Sequence, residues 1–365
     1  MQQDEQRRQP SNELQHLKRV SRVKHIILEK YLPAWANILG SRYRRLAYFD
    51  CFAGPGRYEL EGQSVAGSPV IAVKGAIDYL RDRPGQNLLM NLIEDDKDQV
   101  KSLGVNLESL KPFPKNLAVN VYHADSRMFV PNLLEKSDRL SPSFFLIDPY
   151  GHPLPIPTIN GILRRERTEG LVNLMWYRIN MDLANPVMKS RMDDLFGDDK
   201  WVHQPFMQMH GLEREKSFIN YFTSRLSCKF VLPFKIRYDQ EDAHGGNRTK
   251  YYLLHVSNHG KAVLLMKEVM WPLGDEDGTF DYSGESQGVL ISSTPKVEEL
   301  EDILLREFGG KELGFDELRE ATWRLPFVEK LYREAIARME GKKLDVLRIT
   351  SKRTGIKRLD RIRFR

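Results

Sequence analysis

The heptad Asp50-Cys51-Phe52-Ala53-Gly54-Pro55-Gly56 ends an apolar run with a carboxylate and follows it with two glycines one residue apart. Glycines directly after a buried strand let the backbone approach a ligand and turn sharply, and an acid at the strand end can bind a ribose or an amino group. This is the chemistry of a nucleotide-class pocket. Two versions of it fail on spacing. A dinucleotide fingerprint needs a third glycine three residues after the second, where this chain has Glu59. A phosphate loop needs Gly-x4-Gly-Lys, whereas Gly62 to Ser68 reads GQSVAGS and offers no lysine. NAD and ATP are therefore disfavoured.

Three further acids close apolar runs in the same way. Leu88–Ile93 runs into Glu94, Leu117–Tyr122 into His123-Ala124-Asp125, and Phe144–Ile147 into Asp148-Pro149-Tyr150-Gly151. Ligands of open α/β sheets bind at the carboxyl ends of the strands, so these acids are expected to arrive along one rim. The pattern suits S-adenosyl-L-methionine: Glu94 accepts from both ribose hydroxyls, Asp125 from the adenine amino group, and Asp50, Phe52, Ala53, Gly54 and Gly56 shape the cradle. The bland reading of any one strand-end acid is a helix cap or turn former. Cys51 reads as a small buried thiol, since no Pro-Cys pair suited to covalent attack on a base is present. His152 follows the fourth run and is a lesser candidate, for a proton relay.

The elements that must position these residues are legible as runs and periods. Leu46–Phe49, Leu88–Ile93, Leu117–Tyr122, Phe144–Ile147 and Leu171–Trp176 recur with helical or polar stretches between them, which predicts five parallel strands covered on both faces. Lys229–Arg237 and Tyr251–Val256, joined by the polar Tyr238–Lys250, predict an antiparallel hairpin at the edge of that sheet. Residues 13–39 carry apolar positions at helical spacing and predict one or two helices before the sheet. Helical patterns at Met188–Phe196 and Glu213–Ser224 fall in a segment, about 181–228, longer than a crossover requires. The resulting division is 1–40 helices packed on the sheet, 41–275 a Rossmann-like α/β domain, 276–293 a linker, and 294–365 a basic domain. That last segment reads as helices at Val297–Phe308, Phe315–Thr322 and Val328–Glu340, then short strands at Leu344–Ile349 and Arg361–Phe364, the order of a winged helix. The loops Arg57–Gly67 and Tyr238–Lys250, the latter with His244, Arg248 and Lys250, are candidates for substrate contact at the pocket mouth.

Composition narrows the partners. The 365 residues carry a formal charge of +6, and ten basic residues against two acidic ones between Lys342 and Arg365 put +8 in the last 24 residues. An excess so concentrated suits a surface that meets phosphate, and Lys352, Arg353, Lys357 and Arg358 are the expected nucleic-acid contacts. The two cysteines, Cys51 and Cys228, form no disulfide framework or metal cluster, and no metal is expected. No stretch approaches the roughly 18 uncharged apolar residues of a membrane span, and the first residues lack the apolar core of a secretory signal, so the expected compartment is the cytoplasm.

FAGPG after a strand and DPY at a strand end resemble the first and fourth motifs of Rossmann-like adenosylmethionine methyltransferases acting on nucleic acids. Within that group, Tyr31-Leu32-Pro33-Ala34-Trp35, the run Tyr48 to Tyr58, Gly67-Ser68-Pro69, Ile147 to Gly151, Leu195-Phe196-Gly197 and Tyr251 to Leu254 resemble the three-Cys-motif partner family, TcmP. The resemblance spans most of residues 20–275, and the C-terminal piece resembles the winged-helix domain that often ends such proteins. It implies a methyltransferase-like fold and a partner protein, encoded nearby, that bears the three cysteines. In amino-methyltransferases with a DPPY motif, the acid and the next carbonyl accept hydrogen bonds from an exocyclic amine and the aromatic ring stacks on the flipped base. By that resemblance the catalytic residues are Asp148, Pro149 and Tyr150. This chain has one proline there and is closer to the DP-aromatic-Gly form of tRNA guanine-N2 dimethyltransferases. The implied activity is methyl transfer to an exocyclic amine of a nucleic-acid base. The alternative is a scaffold without turnover that serves as an adaptor for nucleic acid or for the three-cysteine partner, and a small-molecule methyltransferase would leave the basic tail unexplained.

Overall fold

Strand β1 (Arg45–Asp50) alternates its side chains between two hydrophobic cores, as the twofold period of an extended chain requires. Leu46 and Tyr48 face one core, and Ala47 and Phe49 the other. The computed structural model describes residues 19–137, 139–238, 248–274, 281–282, 297–325, 327–342, 346–349, 355–358 and 360–365. Around β1 lie β4 (Asn87–Glu94), β5 (Leu117–His123), β6 (Ser143–Ile147) and β7 (Thr168–Leu174), all parallel. Between β1 and β4 the chain forms a small hairpin, β2 (Arg57–Leu60) and β3 (Gln63–Ala66), where the sequence reading has a plain loop. Its two-residue turn, Glu61-Gly62, has positive φ at both positions (52° and 76°), the geometry that matches strand twist.

Strands β8 (Phe230–Arg237) and β9 (Thr249–Ser257) complete the expected hairpin, but the antiparallel strand is not at the edge. The spatial order is β5-β4-β1-β6-β7-β9-β8, so β9 slots between β7 and β8 and pairs antiparallel with both. Outside β8 a two-residue strand, β10 (Asp281–Tyr282), pairs in parallel, inside the segment expected to be a linker. All nine residues of β9 are buried, whereas β8 alternates and contains Pro233, which suits an outer position. The fifth strand ends at Leu174, earlier than expected, because Trp176 begins a helix.

Helices cover both faces. On one, α1 (Arg19–Gly40), α2 (Ser68–Leu80), α3 (Lys97–Glu108) and α9 (Gly260–Met270) enclose Tyr31, Trp35, Phe144 and Leu253. On the other, α4 (Ser126–Lys136), α5 (Ile156–Leu163), α6 (Trp176–Leu183), α7 (Lys189–Phe196) and α8 (Gly211–Ser224) enclose Phe145, Phe206, Phe218 and Phe222. Each of these fully buried aromatic or branched side chains contributes roughly 1.5–3 kcal/mol by leaving water. The expected N-terminal helices are one helix over the described residues, and α7 and α8 lie in the expected insertion. No helix among the described residues is long and apolar enough to cross a membrane.

A third core belongs to the C-terminal unit: α10 (Val297–Phe308), β11 (Glu312–Gly314), α11 (Phe315–Ala321), α12 (Glu329–Lys342), β12 (Val346–Arg348) and β13 (Arg361–Phe364) around Leu304, Phe315, Ile336 and Ile362. Its sheet runs β11-β13-β12, antiparallel throughout. Strand β11 is an addition to the expected elements. The unit is bolted to α9. Arg319, 4% exposed, reaches Glu268 at 2.9 Å and Glu329 at 2.6 Å, and Lys267 donates to the carbonyls of Trp323 and Leu325. Trp323 also packs edge-on against Phe230 at 5.3 Å.

Candidate active site

In an open sheet the chain leaves β1 toward β4 on one side and later returns to β6 on the other. The crevice at the carboxyl ends of β1 and β6 is therefore the place where helices diverge and ligands fit. The loop Cys51–Gly56 lies in that crevice with Gly54 at φ 66° and Gly56 at φ 86°, left-handed conformations that favour glycine. Gly56 also lets α2 and α3 close in, since a Cβ there would press on Val70, Leu103 and Asn106. The loop is pinned from three sides. Ala53 N donates to Ile93 O at 2.9 Å, Asn106 Nδ2 to Pro55 O at 2.8 Å, and Gly67 N to Gly56 O at 2.8 Å.

Glu94 arrives at the end of β4, and its carboxylate accepts from Gly54 N at 2.7 Å and Asp96 N at 3.0 Å. Burial raises its pKa against the pull of those two bonds, and the neighbouring Asp95 raises it further. Asp148 stands at the end of β6 with both oxygens engaged: Asn173 Nδ2 donates to Oδ1 at 2.6 Å, and Lys24 of α1 forms an ion pair with Oδ2. Pro149 is buried behind it. Tyr150 is 90% exposed, so its ring is a free face rather than a packing residue of the sheet edge.

One of the expected ligand acids is placed otherwise, and another has a structural task as well. Asp50 is 0% exposed and lies under the loop, where Tyr48 OH donates to it at 3.1 Å and Phe52 N at 3.4 Å. Burial pushes its carboxyl up to about 7, against a hydrogen bond from Ser68 and with added repulsion from Asp148. Asp50 thus ties β1 and its loop to the start of α2 instead of facing a ligand. Asp125 is the N-cap of α4, accepting from Arg127 N at 2.8 Å; it is exposed on the same rim with the adjacent Ala124 bonded to Glu94 O. Glu94 is bonded to Gly54, Asp148 stands at the end of β6 on the other side of β1, and Tyr58 feels the carboxylates of Asp148, Asp50 and Glu94 together.

Sequence reasoning misses Lys24, His25, Tyr58 and Asn173. Nothing in a helix of mixed basic and apolar residues marks Lys24 as the partner of an acid in a distant strand. Tyr58 folds from β2 back over the glycine loop: a Cβ on Gly54 would strike its hydroxyl, and one on Gly67 would strike its ring. Burial and then the carboxylates of Asp148, Asp50 and Glu94 push its phenol well up. His25 lies beside that ring at 6.2 Å, and burial together with Lys24 lowers its pKa to about 4, so it is neutral. His152 is buried in a 2.7 Å pair with Asp182, and burial lowers its pKa despite that partner. Cys51 is 1% exposed and burial pushes its thiol up, which fits a space-filling role. In kind, the residues fit an adenosyl group: glycines that permit close approach, and acids at the ends of neighbouring strands. The space over Gly54 depends on the rotamer of Tyr58.

Among the described residues, four arginines of the basic C-terminus are answered by their own unit. Arg358 pairs with Glu329 at 3.1 Å, Arg361 and Arg363 with Glu312 at 2.7 and 3.1 Å, and Arg348 with Glu340 at 3.1 Å. Lys357 is exposed, and Lys352 and Arg353 lie outside the described residues. Of the loop with His244, residues 239–247 lie outside them and Lys250 is instead a buried residue of β9; the directions of β8 and β9 put the two ends on the carboxyl rim.

No family model and no curated protein matches the chain. Among solved structures, it is similar to Trm1 from Pyrococcus horikoshii in complex with S-adenosyl-L-methionine, at 12% identity over 94% of each chain and a TM-score of 0.34. A Legionella pneumophila protein of family DUF519 shares 15% identity over 64% of this chain and 84% of its own, with a TM-score of 0.39. A Thermoplasma acidophilum protein described as a putative methyltransferase shares 10% identity over 60% of this chain and 69% of its own, with a TM-score of 0.26. The fold class rests on the strand order itself. Six long strands and the short β10 in one direction, with the reversed β9 between β7 and β8, make a Rossmann-like, methyltransferase-like α/β sheet.

Proposed function

We propose that the chain is an S-adenosyl-L-methionine-dependent methyltransferase of the TcmP type that transfers a methyl group to an exocyclic amine of a nucleic-acid base. The observation that supports this reading is that the Gly54 loop, Glu94 and Asp148 follow the carboxyl ends of three adjacent strands, β1, β4 and β6, with Glu94 bonded to Gly54 N. Residues 41–275 act as the methyltransferase domain with residues 1–40 packed on it, and 276–293 link it to a winged helix at 294–365. The helix–strand–helix–helix–strand–strand order and the β11-β13-β12 sheet support that last assignment. The setting is the cytoplasm, and the three-cysteine protein is the expected partner.

The backbone of Phe52, Ala53, Gly54 and Gly56 with Glu94 and Asp125 would hold the cofactor, which when bound supplies an electrophilic methyl. Asp50 holds the loop in shape from below. Asp148 accepts from the amine once Lys24 withdraws, the Pro149 carbonyl is the second acceptor, and the exposed Tyr150 ring stacks on the base. An amine so held keeps its lone pair toward the methyl. Lys357, Arg358, Lys352 and Arg353 contact phosphates and confer affinity rather than base choice.

A second reading, an adaptor without turnover, is favoured by two contacts: Lys24 already holds Asp148, and Tyr58 covers Gly54. Calorimetry with S-adenosyl-L-methionine and methyl transfer from labelled cofactor to mixed DNA and RNA separate the two. Incorporation that vanishes in Asp148→Ala supports the enzyme, and Lys24→Met is then expected to raise the rate. Cofactor binding without incorporation supports the adaptor, and no binding by the wild type defeats the enzyme.

A further inference from the structure

The amino rim of the sheet, opposite Asp148, carries a charged feature that methyl transfer does not use. A cavity of about 440 Å³ opens there, with Arg164, Arg165, Glu166, Arg167, Lys229 and His259 on its walls. Three segments form those walls: the turn from α5 into β7, the chain entering β8, and the chain leaving β9. Asn258 staples them together. Its Nδ2 donates to Leu163 O at 2.9 Å, and its Oδ1 accepts from Lys229 N at 3.0 Å. The cations are thus presented from one frame rather than from three independent loops.

Their charges are poorly answered. The side chains of Arg164, Lys229 and His259 have no hydrogen bond or ion pair among the described residues. Arg165 is braced by Gly161 O at 2.9 Å and Leu134 O at 2.5 Å, and its buried Nε has no partner among the described residues. Glu166 answers only Arg167, at 3.1 Å. Four permanent cations, Arg164, Arg165, Arg167 and Lys229, therefore share one carboxylate around a single opening. Like charges held together repel, and an anion between them relieves the repulsion. Guanidinium groups suit phosphate because they present paired N–H donors to its oxygens.

We propose that this cavity binds a phosphate-bearing polyanion. It lies about 20 Å from the Asp148 rim, the length of the seven-residue β7. The phosphates come either from a nucleic-acid backbone or from a free oligophosphate, and the two sources are separable by experiment.

The test uses the full chain, as wild type and as Arg164→Glu/Lys229→Glu, both positions lying outside the packed cores. Calorimetry measures binding of tripolyphosphate, and fluorescence anisotropy measures binding of a labelled 20-nucleotide single strand at several salt concentrations. Thermal unfolding checks that the variant is folded. The expected result is tripolyphosphate binding that weakens at least tenfold in the variant. If a backbone is the source, the single strand weakens equally and its salt slope becomes shallower by about 1 to 2; if a free oligophosphate is the source, only tripolyphosphate responds. Wild type that binds neither probe at millimolar concentration, or a folded variant that binds both unchanged, overturns the proposal. Neither readout involves cofactor or label transfer, so a failure of the methyltransferase reading looks different.

Discussion

Replacing Asp50 by asparagine decides whether this carboxylate serves a ligand or the loop. In the folded chain burial raises its pKa from the ordinary 3.8 to about 7. At about 1.36 kcal/mol for each pH unit, that difference corresponds to about 4 kcal/mol between the protonated and ionised forms. The sign follows from the raised pKa. The folded state binds this proton more tightly than the unfolded one, so the stabilisation is complete below about pH 4 and is lost as pH rises through 7. The asparagine side chain in the Asp50→Asn variant carries no titrating group and stays neutral throughout. Its oxygen accepts from one of the two donors, Tyr48 OH and Phe52 N, and its amide can donate to the tyrosine oxygen. Denaturant unfolding of wild type and Asp50→Asn, in steps from about pH 4 to about 8.5 and followed by tryptophan fluorescence, gives the difference free of His25 and every other shared group. The variant is expected to gain on the wild type by up to about 4 kcal/mol across that window, most steeply between about pH 5 and 7. A difference that is flat in pH would refute the buried, loop-holding assignment.

Three other substitutions probe the framework. Gly54→Ala places a Cβ at φ 66° against the Tyr58 hydroxyl, and is expected to cost about 1–2 kcal/mol from the backbone alone; Tyr58→Phe in that background should recover the part due to the hydroxyl, read as non-additivity in thermal melts. Arg319→Met leaves Glu268 without its cation while Glu329 keeps Arg333 and Arg358, and should cost about 1.5–3 kcal/mol and loosen the C-terminal unit, visible as faster protease cleavage after Leu273. Lys267 has its pKa lowered to about 7 by burial and by Arg319, so the folded state gives up its proton early and stability rises with pH from 7 toward 10.5; Lys267→Met should flatten that rise in melts taken across the window.

The parallel strands are legible because each is an unbroken apolar run whose two faces both meet helices. The β2–β3 hairpin is not, since its residues are polar and half-exposed and its turn advertises only Gly62. The position of β9 is harder: chain order says that β8 and β9 pair, and nothing local says which of them reaches β7. A cue did exist in the absence of polar alternation along Tyr251–Val256, against the outward-facing Pro233 of β8. At the rim, composition cannot distinguish an acid that faces a ligand from one sealed beneath a loop, as at Asp50, nor show that Asp125 also caps a helix. The C-terminal charge reads as free because Glu312, Glu329 and Glu340, which answer it, all precede the basic stretch.

The slot filled by β9 also sets the order in which the molecule can be finished. Until Thr249–Ser257 has left the ribosome, β7 ends the sheet with its backbone donors and acceptors unsatisfied, and β8 has no long strand beside it. Six of the seven long strands are then made but cannot close rank. During that interval the nascent chain presents two open sheet margins to any extended peptide nearby, and speed at this step, more than the strength of any single contact, governs how much of it reaches the native arrangement.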